Sequence, residues 1–111
     1  MKKWLALFSL LGMIWWTAPS TYTDGTPILA SDKAKITYRI YVDETEFAAV
    51  TGGALEWKGT LPQKPGETRQ YTATAEYPGQ PESKSEFTSP VTFTYYLMLS
   101  PPGDIQIHLG N

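Results

Sequence analysis

The chain of 111 residues contains no cysteine, only one histidine (His108), and a nearly balanced charge. Without cysteine there is no disulfide and no thiolate zinc site. Nine basic and eleven acidic residues give a net charge of −2, which argues against nucleic acid as the main partner. At this length we expect one domain, whose single hydrophobic core suffices for folding.

Sequence motifs for catalysis and for cofactor or metal binding are also missing. His108 falls on the polar side of a short terminal segment, away from any predicted acid or nucleophile, so we expect a solvated side chain. No glycine-rich phosphate loop follows a strand, and the acidic residues are scattered over outward positions. The run Asp43–Glu46 offers oxygen ligands but lacks the spacing of a calcium loop. We therefore expect a non-enzymatic protein without cofactor or metal.

An apolar run from Trp4 to Trp16 follows Lys2 and Lys3 and allows two interpretations. A basic start and about 7–15 apolar residues are typical of a secretory signal, and a membrane span needs about 20. Cleavage after Ser20 would then export the chain. In the second interpretation this segment is retained as an anchor, or residues 13–19 form a strand of the folded domain.

Strands are predicted by period-two alternation and by a composition with seven Tyr and four Trp. The strand predicted around residues 36–42 should point one face to the core, and that face carries Ile36, Tyr38, Ile40 and Val42. Arg39 and Tyr41, on its other face, should be half exposed. Tyr71–Tyr77 is the clearest strand. Further strands are expected at 47–51, 54–60 and 87–95, the last with Val91 and Phe93 facing in. Nine Gly and nine Pro fit the many short turns between them.

Several motifs occur in a defined order: Trp16-Thr17-Ala18-Pro19, Asp24-Gly25-Thr26-Pro27, Tyr38–Tyr41, Pro65-Gly66 before Tyr71–Ala75, and Glu82-Ser83 before Ser89-Pro90-Val91. In this order, roughly residues 13–95 resemble a bacterial or phage-type fibronectin type III domain. The resemblance implies an all-β, immunoglobulin-like antiparallel β-sandwich and no particular function. Tyr71 lies farther from Pro65-Gly66 than the family's corner tyrosine does. The family's first strand is not apparent, so an open edge and an uncovered core groove are expected.

The predicted organisation has three parts. Residues 1–20 form the apolar signal or anchor, with or without a strand, residues 21–99 form the sandwich, and residues 100–111 form a turn and an extra strand. In that strand Ile105, Ile107 and Leu109 alternate with polar residues. It could fold back as a hairpin or be donated to a neighbouring copy. We favour the hairpin because short connections usually join adjacent strands.

The function expected from these features is a non-catalytic binding or adhesion module, exported to the cell surface or secreted. Its partner would be a protein or carbohydrate surface, and only the N-terminal segment would meet a membrane. The alternative is a structural subunit of a phage virion or surface filament that completes its sandwich with neighbouring copies. Trp57 is either a core aromatic or an edge residue offered to a ligand. The candidate binding residues are Asp24, Gly25, Trp57, Gln80 and Lys84.

Overall fold

The computed structural model describes residues 11–96 and 99–110. Within these residues the elements are β1 (Leu11–Trp15), α1 (Ala30–Lys33), β2 (Thr37–Val42), β3 (Thr45–Val50), β4 (Glu56–Thr60), β5 (Thr68–Glu76), a 3₁₀ turn (Pro81–Ser83) and β6 (Val91–Thr94). The strands pair antiparallel in two sheets, β1-β4 and β3-β2-β5-β6. The prediction of an all-β protein is confirmed. No helix in the described part of the chain is long and apolar enough to cross a membrane.

The centre of the larger sheet is β2, which pairs with β3 on one side and β5 on the other. The predicted core face of Ile36, Tyr38, Ile40 and Val42 is confirmed, since each side chain is buried. In the register, Tyr38 and Ile40 lie opposite Ala75 and Ala73 of β5. The small alanines leave room for the larger side chains that pack on this face.

The prediction that Tyr41 is half exposed is wrong. Its exposed fraction is 6%, because the side chains of Lys84 and Phe87 cover its ring. Their segment runs beside β5, where Ser85 N–H and Thr88 N–H donate to the Ala75 and Ala73 carbonyls. Phe87 packs edge-on against Tyr41 with ring centroids 4.9 Å apart, and the Lys84 ammonium lies 5.3 Å from the Tyr41 ring centroid. The neighbouring Thr74 is buried too. A connecting segment outside any strand thus covers a face that strand alternation predicted to be half exposed.

The acidic stretch forms a tight hairpin between β2 and β3. Val42 pairs with Thr45, and the two intervening residues, Asp43 and Glu44, have φ of 47° and 72°. Positive φ at both central positions is the geometry of a type I′ turn, which suits the twist of a two-residue hairpin. Asp43 accepts hydrogen bonds from the Gln70 backbone N–H and from Arg69. Its carboxylate therefore ties the turn to β5.

The smaller sheet lies over part of the larger one and includes β1 from the apolar run. On its inner face Ile14 pairs with Trp57, and Gly12 with Gly59. A Cβ on Gly12 would lie 2.7 Å from Leu61 Cδ1, so glycine permits the close approach. Beyond β1, Trp16 packs on Tyr38 with centroids 5.3 Å apart. The apolar run thus contains a strand at Leu11–Trp15, which overlaps the expected strand of residues 13–19 only at residues 13–15. Of the signal or anchor predicted at residues 1–20, residues 1–10 lie outside the described residues.

The crossover between β4 and β5 is held by one buried amide. The Tyr71 hydroxyl donates to Gln63 Oε1 at 2.5 Å, and Gln63 Nε2 donates to the carbonyls of Glu67 and Phe93. Gln63 has an exposed fraction of only 6%. This side chain joins the crossover to β5 and β6, and Tyr71 reaches it from the sheet despite its distance from Pro65-Gly66.

The prediction of a C-terminal strand folded back as a hairpin is wrong for the described residues. Residues 99–110 contain no strand, and Ile105, Ile107 and Leu109 are 87%, 85% and 87% exposed. Pro101 and Pro102 favour an extended chain and remove two backbone donors. Strand β6 is also shorter than predicted, because pairing with β5 begins only after Pro90.

Candidate functional site

An apolar groove of about 480 Å³ lies between β1 and β6. Its floor includes Ile40, Tyr71 and Ala73 from the inner face of the larger sheet. One wall is formed by β1 and Trp16. The other is formed by β6 and by Thr88 and Ser89, which precede it. The lining residues are Met13, Ile14, Trp15, Trp16, Ile40, Leu61, Tyr71, Thr72, Ala73, Thr88, Ser89, Val91 and Phe93.

The groove is open because the two sheets differ in width. The sheet of β1 and β4 has two strands and faces a sheet of four. Val91 and Phe93, predicted to face the core, therefore line the groove and remain 65% and 41% exposed. This matches the uncovered groove expected from the lack of an apparent first strand.

Each side of the groove is bounded by the edge of a strand, β1 on one side and β6 on the other. Trp16 N–H donates to Leu55 O on the β4 side. Because hydrogen-bonding groups alternate along an antiparallel pair, Leu11, Met13 and Trp15 direct their backbone groups toward the opposite edge. In the described part of the chain, strand β6 pairs with β5 alone. Among residues 11–96 and 99–110, neither of these two edges has a partner strand.

The groove offers apolar contact rather than acid–base chemistry. No side chain of Asp, Glu, Lys, Arg or His lines it in the described residues. Burial raises the pKa of Tyr71, and its hydroxyl is engaged by Gln63, so it stays protonated at neutral pH. The described part of the chain also contains no group of three His, Cys, Asp or Glu side chains that could hold a metal ion. The arrangement suits an apolar ligand.

Asp24 and Gly25, two of the predicted binding residues, form a self-contained turn. Asp24 Oδ1 accepts hydrogen bonds from the Thr26 N–H at 2.9 Å and from its hydroxyl at 2.7 Å. The backbone hydrogen bond from Thr26 is the main cause that lowers the pKa of Asp24. Gly25 has φ of 90°, which favours glycine at this turn. These contacts give Asp24 and Gly25 a structural role in the turn.

Gln80 lies in a second, polar cleft of about 390 Å³ that also includes Tyr22 and Tyr77. The two tyrosine hydroxyls are 2.6 Å apart, and this bond joins the loop of Asp24 to the loop of Gln80. The hydrogen bond with Tyr22, together with burial, raises the pKa of Tyr77 to about 12. Tyr77 therefore supplies no base at neutral pH.

Trp57 and Lys84 lie in two other places. Trp57 is half-buried on the inner face of the smaller sheet, with its ring centroid 5.2 Å from that of Phe47. This contact favours the core interpretation of Trp57. Lys84 lies over Tyr41 and Phe87 on the outer face of the larger sheet. The structure thus brings together the loops of Asp24, Gly25 and Gln80 but does not unite all five candidate residues.

The groove residues were not among the candidates, because alternation marks an apolar side chain as inward without showing whether anything covers it. The available signal was the lack of an apparent first strand, which points to the edge of β1. Comparison with family models, with curated proteins and with solved structures finds no match to this chain.

Proposed function

We propose that this protein is a non-catalytic protein-binding module that accepts an extended polypeptide segment in the groove between β1 and β6. The observation that carries the proposal is an apolar groove bounded by the edges of two strands. An added strand supplies backbone hydrogen bonds to such an edge, and alternate side chains fill the groove.

A polypeptide suits this groove better than a small apolar molecule. The carbonyl and N–H groups of Leu11, Met13 and Trp15 recur at the two-residue spacing of a strand. Only another extended backbone matches that spacing along the whole edge. A small molecule would cover the apolar floor and leave these groups without protein partners.

The fold that we propose is a fibronectin type III-like sandwich without its first strand. The support is the division into β1-β4 and β3-β2-β5-β6, with the chain crossing repeatedly between the two sheets. The motif order in the sequence supports the same proposal. An extracytoplasmic location is also proposed, and it rests on Lys2, Lys3 and the apolar run. The run would be retained as an anchor, because cleavage after Ser20 would remove β1.

A peptide that alternates Ile with Thr tests the proposed binding, with tryptophan fluorescence as the measurement. Trp15 and Trp16 line the groove, so we expect a saturable change in emission. Val91→Asp should weaken binding by about tenfold or more, because it places a carboxylate in an apolar site.

Thr92→Asp is the matched control, since Thr92 is exposed and adjacent in β6 but does not line the groove. It should leave binding unchanged. A peptide of the same composition with its isoleucines in one block should bind weakly. Equal binding of both peptides, or equal loss in both variants, would refute strand addition in this groove.

A second candidate function is a structural subunit of a virion or surface filament. The specific observation in its favour is the exposed segment from Leu99 to Gly110, which carries four apolar side chains that are at least 85% exposed. Such a segment is suited to contact with another subunit.

A further inference from the structure

The C-terminal segment alternates apolar and polar residues, which is the pattern expected of a strand that fills the groove. Ile105, Ile107 and Leu109 alternate with Gln106 and His108 and are each at least 85% exposed. An extended chain places these three aliphatic side chains on one face. The segment has five residues from Ile105 to Leu109, as does β1. With Gln106 opposite Met13, the segment can pair with four of the five residues of β1, and its aliphatic side chains then share the inner face of Gly12 and Ile14.

We propose that the groove of each molecule is filled by residues 105–109 of a second copy, in a reciprocal two-fold dimer. This inference rests on the proposed function of the groove as a strand acceptor. Ile105, Ile107 and Leu109 would lie over Ile40 and Ala73 on the groove floor. Gln106 and His108 would lie on the outer face beside Met13.

The second copy is favoured over the molecule's own tail by the direction of the chain. Within residues 99–110 the tail contains Pro101, Pro102 and a bend at Gly103 but no other turn. The two prolines hold φ near the extended range, which disfavours the tight turn that a return along β6 would require. The described residues 99–110 are all exposed, as expected for a segment that reaches a neighbour.

The area buried decides between a reciprocal dimer and a one-sided contact. Burying an aliphatic side chain removes roughly 100 Å² of apolar surface, so three side chains and the groove facing them remove roughly 600 Å². That falls below the roughly 1,000 Å² of a stable specific interface, whereas two symmetric exchanges give about 1,200 Å². A two-fold arrangement makes the second exchange a consequence of the first.

Sedimentation of the full chain across the micromolar range is the first test. We expect a concentration-dependent dimer, and Ile107→Asp should raise its dissociation constant by about tenfold or more. Gln106→Asp is the matched control because it adds the same charge on the other face, and it should remain dimeric. A monomer throughout, or a dimer that Ile107→Asp leaves intact, would overturn the proposal. The second result would assign the contact to another surface.

Because the chain lacks cysteine, a pair of introduced cysteines can report the contact directly. Met13→Cys combined with Gln106→Cys should form disulfide-linked dimers under oxidation. Lys58→Cys with Gln106→Cys is the control, since Lys58 pairs with Met13 but lies on β4, away from the groove. A disulfide within one chain would show that the tail closes its own groove, and it would refute exchange between copies.

A synthetic peptide of residues 101–110 separates this inference from the proposed function. We expect it to dissociate the wild-type dimer and to bind Ile107→Asp monomers. If the wild-type chain is monomeric yet binds the peptide that alternates Ile with Thr, the groove is a strand acceptor for another partner and only the exchange fails. If neither peptide binds the monomer, both proposals fail.

Discussion

At the scale of single residues, two buried tyrosines of the core differ in one respect. Tyr71 donates its hydroxyl hydrogen to Gln63, whereas the Tyr38 hydroxyl has no hydrogen-bond partner in the part of the chain that the structure describes. Their exposed fractions are 8% and 3%. An unpartnered buried hydroxyl lowers stability, and a partnered one is costly to remove. The two positions therefore form a natural comparison.

Tyr71→Phe should lower the free energy of unfolding by about 1–3 kcal/mol, because it leaves the buried Gln63 oxygen without a donor. Tyr38→Phe removes the same atom with no partner to lose, so its effect should be neutral or stabilising. Urea denaturation of both variants measures the difference. Equal losses would mean that the bond between Tyr71 and Gln63 adds nothing to stability.

The carboxylate of Asp43 makes the stability of the folded protein depend on pH in the acid range. The Gln70 backbone hydrogen bond and the Arg69 guanidinium lower the pKa of Asp43 below its usual value. A lowered folded-state pKa stabilises the protein above the unfolded-state pKa of about 3.9, and that contribution is lost as the pH falls through the folded-state pKa.

Asp43→Asn should therefore be less stable than the wild type above about pH 4, and the gap should narrow as the pH falls further. Asparagine tolerates the positive φ of this turn, so the backbone is retained. Thermal midpoints between acid and neutral pH measure the gap, with Asp104→Asn on the exposed tail as control. A gap that is constant with pH would contradict the assigned role.

At the scale of elements, the β2–β3 hairpin contains one residue poorly suited to its backbone. Glu44 has φ of 72° in the second position of the type I′ turn, where glycine is preferred. Glu44→Gly should raise the free energy of unfolding by about 0.5–1 kcal/mol, since relief of left-handed strain exceeds the entropy cost of glycine.

Glu44→Ala separates the two contributions to this change. It removes the same carboxylate while keeping the strained Cβ, so it should give no gain. Urea midpoints of the two variants provide the measurement. If alanine stabilised the protein as much as glycine, removal of the acidic side chain rather than backbone relief would explain the effect.

At the scale of the whole molecule, the apolar run has two roles that conflict. Cleavage after Ser20 would remove β1, whose five residues all pair with β4 and which forms one wall of the groove. The smaller sheet would then consist of β4 alone. A single strand cannot satisfy its own backbone hydrogen bonds.

A chain beginning at Thr21 should therefore be strongly destabilised and lose cooperative unfolding. A chain beginning at Leu11 keeps β1 and is the matched control, which should retain the fold. Thermal unfolding followed by circular dichroism compares the two. Intact mass of the protein from its natural source gives an independent check, because a mass without residues 1–20 and a stable fold would together contradict the role of β1.

The sequence by itself determined the strands with regular alternation and the turns. The core face of β2 follows from Ile36, Tyr38, Ile40 and Val42, because a period of two has only one geometric solution. These features depend on neighbours along the chain, and local sequence therefore specifies them.

Only the tertiary structure decided what covers each face. It buried Tyr41 beneath the side chains of Lys84 and Phe87 and placed Gln63 between the crossover and β6. It also left Val91 and Phe93 open beside β1 and kept the tail away from its own sheet. These outcomes depend on contacts between residues distant in the chain. Alternation shows which side of a strand is apolar, but it carries no information about which segment lies against that side.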